Sequence, residues 1–551
     1  MQNLWYKNAI VYSLDVETFM DANGDGIGDF IGLTQQLDYL SGLGITCLWL
    51  HPFYPSPNRD DGYDVMDYYN VDPRLGTLGD FVDFMQAAQE RGIRILIDLV
   101  VNHTSIQHPW FQAARSSSSS PYRDYYVWSE HPPATDPSEL VFPDAEDSIW
   151  EYDEQARAYY LHHFYKEQPD LNISNPTVRD EIRKIIHFWL TMGVSGFRVD
   201  AVPYFIKNVV ELVAQYELES FLVELRQYVS ARNPEAVLLA EANVESQSVP
   251  LYFGNGDRMH MLFSFFVNQK KFLALARQDA TPLAEGLQQL PDLPRSGQWL
   301  NFVRHHDELT LDQLSAAEQQ EVFQAFAPDP AMQIYGRGIR RRLPPMIQNN
   351  RQHLELIYSL LFTLPGIPLL RYGDEIGMGD DLSLPDRDSV RTPMQWSDQP
   401  NGGFSQAAVE DLAKPVISEG DYGYQRVNVA AQQRDPHSLL NWFDRAIRIR
   451  KQCPELGCGQ LHLLETTEPA VLAHCCSHPS GVVVAIHNLS HHPCTIALKS
   501  NPYSNLADLF GDQSYEPLQD SLTIPIAAYG YRWFRALDIV GYVRSNQKGT
   551  N

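Results

Sequence analysis

Three carboxylates in this chain each close a short apolar run: Asp200 in GFRVDAV, Glu241 in LLAEAN and Asp307 in FVRHHDE. Apolar runs of that length with a polar tip read as buried parallel strands carrying functional groups at their carboxyl ends. Three such tips converging would form the mouth of an α/β barrel. A retaining glycosidase needs two carboxylates flanking a sugar carbon, one as nucleophile and one as acid/base. Any one of the three taken alone could equally be a helix N-cap or a turn residue. That reading leaves Arg198, two residues before Asp200, and His306, directly before Asp307, unexplained. Arg198 shares a strand face with Asp200 and can keep it ionised and oriented. A structural ion pair of Arg198 with Asp98 is the other reading, and the two are compatible. The AVLLA run before Glu241 implies partial burial, which raises a carboxyl pKa toward the working range of a general acid.

A second oxygen-rich stretch is DANGDGIGD, Asp21 to Asp29. Side-chain oxygens at Asp21, Asn23, Asp25 and Asp29, with Ile27 at the remaining alternate position, suit a hard cation such as calcium. The loop is shorter than an EF-hand and lacks the terminal glutamate of that motif. An acidic turn without metal is the alternative. No organic cofactor is expected.

Strand and helix patterns alternate around these residues. AIVYSLD, TCLWLHPF and RILIDLVVNH read as strands, and LTQQLDYLSGLG and FVDFMQAAQERG as helices ended by glycine. GFRVD, AVLLAE, HMLFSF, WLNFVRH and IPLLRYGDE bring the strands to the eight that a (β/α)₈ barrel needs. The expected division is a first barrel part over 1–103, an inserted subdomain over 104–175, and a second barrel part over 176–455. A further excursion at about 310–350 falls between the seventh and eighth strands. Residues 456–551 change to short alternating runs such as GVVVAIHNLS and CTIALKS, which read as an antiparallel β-sandwich. The fold class is therefore α/β, a barrel with a loop-rich insertion and a C-terminal β domain.

DLVVNH, GFRVDAV, EANV and FVRHHD resemble, in order, four signature regions of the α-amylase superfamily, and QPDLN resembles its fifth. The similarity runs from WYKNAIVY to RTPMQW. It implies Asp200 as nucleophile, Glu241 as acid/base and Asp307 as a third acid that stabilises the transition state. It also implies His103, His306, Gln168, Asp64 and Arg391 as sugar-contacting residues beside Arg198, and Asn102 with Asp170 as a second calcium site. LHPFYPSPNRDDGYDV, HHDELTL, GIRRRL and YGDEIGMGD resemble the trehalose synthases. The resemblance implies maltose–trehalose interconversion by intramolecular transfer through a glucosyl-aspartate. An α-glucosidase or small-oligosaccharide hydrolase is the alternative, and a non-catalytic sugar-binding scaffold is the third; the intact acids count against the last. Ala201 stands where α-1,6-specific relatives carry valine, so α-1,4 or α-1,1 linkages are favoured. Two departures stand out: IKNVVELVAQYELESFL follows Tyr204 in place of a glycine- and acid-containing insertion, and His305 stands where asparagine is usual.

At 551 residues the chain is long enough for two or three domains. A formal charge of −27 argues against a polyanionic partner such as nucleic acid. No apolar run is long enough to span a membrane. The start lacks a basic segment followed by an apolar one, so a cytoplasmic location is expected. Cys47, Cys453, Cys458, Cys475, Cys476 and Cys494 show no zinc-ligand spacing and are expected as free thiols. The expected partner is a small sugar, and a homo-oligomer is compatible.

Overall fold

The computed structural model describes residues 4–134, 139–206, 211–498, 506–511 and 523–536. Eight parallel strands close into a barrel in chain order. They are β1 (Val11–Leu14), β2 (Cys47–Leu50), β3 (Arg94–Leu99), β4 (Gly196–Val199), β5 (Val237–Ala240), β6 (Met261–Phe263), β7 (Gln298–Asn301) and β8 (Ile367–Arg371). Each pairs with its successor, and β8 closes on β1 with Leu369 opposite Val11. The expected eight strands are all present. They read as unbroken apolar runs because both faces are buried. Cys47, Trp49, Leu96, Val237, Leu239, Met261, Leu300, Ile367 and Leu369 fill the barrel interior. Their neighbours Leu48, Leu50, Ile95, Ile97 and Leu238 face the surrounding helices.

This alternation aims the chemistry. Asp98 lies two residues after the inward Leu96, and Glu241 two after the inward Leu239, so both point into the barrel mouth. The strands end earlier than the apolar runs suggest. β7 stops at Asn301, so Asp307 sits on the loop beyond the strand rather than at its tip.

The 104–175 excursion carries a three-stranded antiparallel sheet of 128–129, 150–153 and 158–161. It returns to the barrel through Leu171 N–H to Asn102 O, 2.8 Å. The 310–350 excursion holds the helix Ala316–Phe326, capped by Ser315 and Glu318, and a small sheet of 309–310, 333–334 and 338–339. After Tyr204, residues 207–210 lie outside the described part, and the helix Glu211–Arg232 follows.

Toward the C-terminus, β9 (Gln460–Leu464), β10 (Val471–His478), β11 (Gly481–Asn488), β13 (Leu506–Asp508) and β15 (Tyr531–Ala536) form one antiparallel sheet. β12 (Cys494–Ala497) and β14 (Thr523–Ile526) form a second, and Val484, Ile486, Ile496, Ile524 and Phe534 pack between them. The last part of the expected β domain, 537–551, lies outside the described residues. Cys47, Cys453, Cys458, Cys476 and Cys494 are free thiols. Among the described residues no helix is long and apolar enough to cross a membrane.

Candidate active site

β4 and β5 place the first two acids side by side. Val199 is opposite Ala240 in the parallel register, so Asp200 and Glu241 are the next paired positions. Neighbouring strands lie about 4.8 Å apart, so the two side chains leave adjacent tips of the barrel mouth. One guanidinium joins them: Arg198 Nη1 is 2.5 Å from Asp200 Oδ1, and Arg198 Nη2 is 2.9 Å from Glu241 Oε2. The same Nη1 meets Asp98 at 2.5 Å, so the orienting and structural ion-pair roles of Arg198 coexist. Trp49 Nε1 donates to the other Asp98 oxygen at 2.8 Å.

Directly after Asp200, Ala201 adopts φ 51° and ψ 38°. A left-handed non-glycine residue costs about 1–2 kcal/mol. The turn aims the Ala201 N–H at Glu241 Oε2, 3.1 Å away. Alanine is accommodated there at less cost than a β-branched residue would be.

Burial raises both acids. Asp200 is pushed up to about 6, with Arg198 opposing and Asp98 reinforcing the shift. Glu241 is pushed up to about 7 by burial, against Arg198, with the charges of Asp200 and Asp307 adding to the rise. The pair is thus split, with Glu241 holding its proton to higher pH. Asp307 goes the other way. Burial favours its neutral form, but the guanidiniums of Arg387 and Arg391 hold it well below the usual carboxylate range.

Asp307 organises the opposite wall. Its Oδ1 meets Arg387 at 2.7 Å and Arg391 at 3.0 Å, and its Oδ2 meets His306 at 3.1 Å. Arg391 also donates to His306 O at 3.0 Å and pairs with Asp61 at 3.2 Å. Asp61 in turn bonds Lys414. The His306 ring lies parallel to Tyr63, whose hydroxyl is 2.8 Å from His306 Nε2. His103 is buried, with Nε2 3.2 Å from Tyr63 O.

Two expected sugar contacts need correction. Asp64 is fully buried and spent on its own loop, accepting from Ser56 Oγ at 2.7 Å and Arg59 N–H at 3.2 Å. Asp61, three residues earlier, is the acid that partners Arg391. Gln168 is buried and its amide is spent within the fold: its Nε2 donates to Asp60 at 3.0 Å and its Oε1 accepts from Tyr165 N–H at 3.1 Å. Asp60, so braced, meets Arg387 at 2.6 Å. Sequence reasoning missed Asp60, Asp61, Arg387 and Lys414. The ion pair of Asp61 with Arg391 was detectable only as the unassigned acids in RDDGYD.

Above the acids lies a cavity of about 450 Å³ lined by Glu241, Ala201, Asp307, His305 and Arg387. Residues of both excursions wall it: Val141, Phe142, His163 and Phe164 from the first and Arg337 from the second. Phe142 stacks on Tyr165 at 4.6 Å and packs on Tyr335 at 4.8 Å, and Tyr165 and Tyr335 join hydroxyls at 3.1 Å. Arg337 Nη2 donates to Val141 O at 2.8 Å across the gap. A larger cavity of about 660 Å³ lies by Lys7, Trp299 and Gly457, remote from all three acids.

The cation-binding candidates divide. In the 21–29 loop, Asp21 accepts the N–H groups of Gly24 and Gly26, Asn23 that of Asp25, and Asp25 that of Ile27. Asp29 caps the helix Phe30–Gln35 through Gly32 N–H at 2.6 Å and takes Ala22 N–H with its second oxygen. These are hard oxygen donors gathered in one turn, a chemistry that fits calcium. Asn102 and Asp170 meet at 3.3 Å, and Asp170 also bonds His163. Asp15, Glu17 and Asp61 cluster as well. Lys414 supplies the cation there, and burial with the neighbouring Asp61 and Glu17 pushes Asp15 up to about 8.

An α-amylase catalytic-domain model matches residues 15–321 and 339–459, and a maltogenic-amylase C-terminal-domain model matches 461–533. The chain belongs to the α-amylase family. It is 42% identical to a trehalose synthase of Thermus thermophilus over 97% of its own length, and spans 56% of that longer relative. It is also 42% identical to the trehalose synthase/amylase TreS of Mycolicibacterium smegmatis, covering 96% of this chain and 92% of that one. Among solved structures, a mutant of the trehalulose synthase MutB in complex with the substrate sucrose superimposes with a TM-score of 0.76. It is 27% identical, covering 96% of this chain and 99% of that one. The barrel carrying the Arg198-bridged acids is thus that of an α-amylase family enzyme.

Proposed function

We propose that this α-amylase family enzyme interconverts maltose and trehalose by intramolecular glucosyl transfer, releasing some glucose. Asp200 attacks the anomeric carbon and forms a glucosyl-aspartate while Glu241 gives its proton to the departing glycosidic oxygen. Arg198 keeps Asp200 oriented and favours its ionised form. Asp307, with Arg391 and Asp61 behind it, holds hydroxyls of the bound glucosyl ring. The freed glucose stays, turns, and presents its anomeric hydroxyl. Glu241 removes that proton as the oxygen attacks, which expels Asp200 and leaves the α-configuration retained. Hydrolysis follows the same course with water as the acceptor.

The observation that carries the isomerase over the hydrolase is the walling of the acid cavity by both excursions, with Phe142 from the first and Arg337 from the second, and Tyr165 and Tyr335 packed on Phe142. Walls from two excursions restrict water and hold a leaving sugar near the acids. The likeness to trehalose synthases supports the same reading. Product analysis after incubation with maltose tests it. Trehalose with a smaller share of glucose is expected; glucose alone at every maltose concentration would establish the glucosidase alternative.

The 21–29 loop is read as a structural calcium site, with Asp21, Asn23 and Asp25 as side-chain ligands. It lies in the first βα loop and its role is to hold that loop against Phe404 and Ser405, which already bond Asp21. The free thiols of Cys47, Cys453, Cys458, Cys476 and Cys494 support a reducing, cytoplasmic setting.

A further inference from the structure

His305 belongs to neither the acid pair nor the Asp307 clamp, yet it faces the cavity they share. It is 5% exposed. Phe302 meets its ring at 5.0 Å, Phe265 at 5.8 Å and Phe263 at 6.4 Å. Arg371 holds its backbone carbonyl at 3.0 Å. Its Nδ1 accepts the Asp307 N–H at 3.2 Å, which places the ring proton on Nε2. That Nε2 is buried and has no hydrogen-bond partner among the described residues. A fixed, buried N–H without an acceptor is costly unless a ligand supplies one.

The wall around it is rich in acceptors: Glu308, Asp312 and Glu241 line the same cavity. These suit sugar hydroxyls as donors. A sugar ring also offers oxygens that need a donor. On this wall the Nε2–H of His305 is such a donor, neutral because burial pushes the imidazole down to about 3.

We propose that His305 is a sugar-binding residue that selects for a second pyranose, donating its Nε2–H to an oxygen of the ring that leaves and re-attacks. This deepens the disaccharide reading and rests on it. The reach and single donor of the imidazole set how the departing ring is held while it turns.

The test compares maltose with 4-nitrophenyl α-glucoside, whose leaving group has no sugar oxygens. The variants are His305→Phe, which keeps the aromatic packing, and His305→Asn, which keeps an N–H donor. With His305→Phe, kcat/KM for maltose consumption is expected to fall about ten-fold further than for the nitrophenyl substrate. His305→Asn should recover much of that difference. Thermal melting checks that each variant is folded, and His305→Gln provides a second donor-retaining substitution if one is not. Equal losses on both substrates, or none, would overturn the proposal. Maltose consumption reads His305 whether the product is trehalose or glucose. The wild-type product analysis separately decides the reading of the reaction.

Discussion

At the scale of residues, the proposed chemistry needs two acids with unequal proton affinities and one shared guanidinium. Turnover needs Asp200 ionised and Glu241 protonated. Asp200 gains that form as pH rises through about 6, and Glu241 loses its own as pH rises through about 7. A plot of kcat/KM against pH should therefore be a narrow bell centred between these values, both limbs belonging to the coupled pair. A plateau extending above pH 9 would contradict Glu241 as the acid. Asp200→Asn and Glu241→Gln should each cost at least about 10³-fold in kcat while melting as cooperatively as the wild type. The clamp separates two neighbouring aspartates. Asp61→Asn should raise KM through the loss of Arg391 alignment, whereas Asp64→Asn should lower melting temperature and leave KM nearly alone. Sequence spacing could not make this distinction. Asp60, Asp61 and Asp64 lie within five residues, and only the turn at Ser56 and Arg59 decides which carboxylate faces Arg391. Asp200 and Glu241 were legible because each follows a strand whose inward face is set by simple alternation.

At the scale of elements, the parallel strands were easy to read because burial on both faces makes them continuous apolar runs. Their ends were not, since valine and phenylalanine continue past Leu99 and Asn301 into loops that are equally buried. The contributions of Arg387 and Lys414 left no trace in periodicity, because they reach the site from loops after β8. The cavity wall is testable at this scale. Phe142→Ala or Tyr335→Ala should raise the ratio of glucose to trehalose several-fold without abolishing maltose consumption, as read by product chromatography. An unchanged ratio would remove the wall from the mechanism. A second element-level expectation concerns the seam between the barrel and the β domain. His474 on β10 and His487 on β11 lie stacked and fully buried against the helix Arg351–Thr363, bonding Thr363 O and Ser359 Oγ. Burial lowers His474 to about 4 and His487 well below its ordinary value. The unfolded imidazoles take up protons below about pH 6.5 and the folded ones do not, so stability falls as pH drops from 6.5 toward 4. For His474 this is worth up to about 3 kcal/mol. His474→Leu should flatten the acid side of a stability–pH curve measured by denaturant unfolding; an unaltered slope would contradict the assignment.

At the scale of the whole molecule, one barrel supplies the acids, two excursions wall the cavity above them, and a separate loop at 21–29 joins the first βα connection. Chelation by EDTA is expected to lower the melting temperature, with calcium restoring it and Asp21→Ala abolishing the response. Equal melting of wild type with calcium and with chelator would dismiss the metal. The central claim is that glucose remains enclosed between cleavage and re-attack. Incubating the enzyme with unlabelled maltose and an excess of ¹³C-labelled free glucose tests it most directly. Trehalose carrying little label, alongside a minor pool of unlabelled glucose, is the expected result. Trehalose whose label matches that of the free glucose pool would show that the sugar escapes and returns, and would contradict the account.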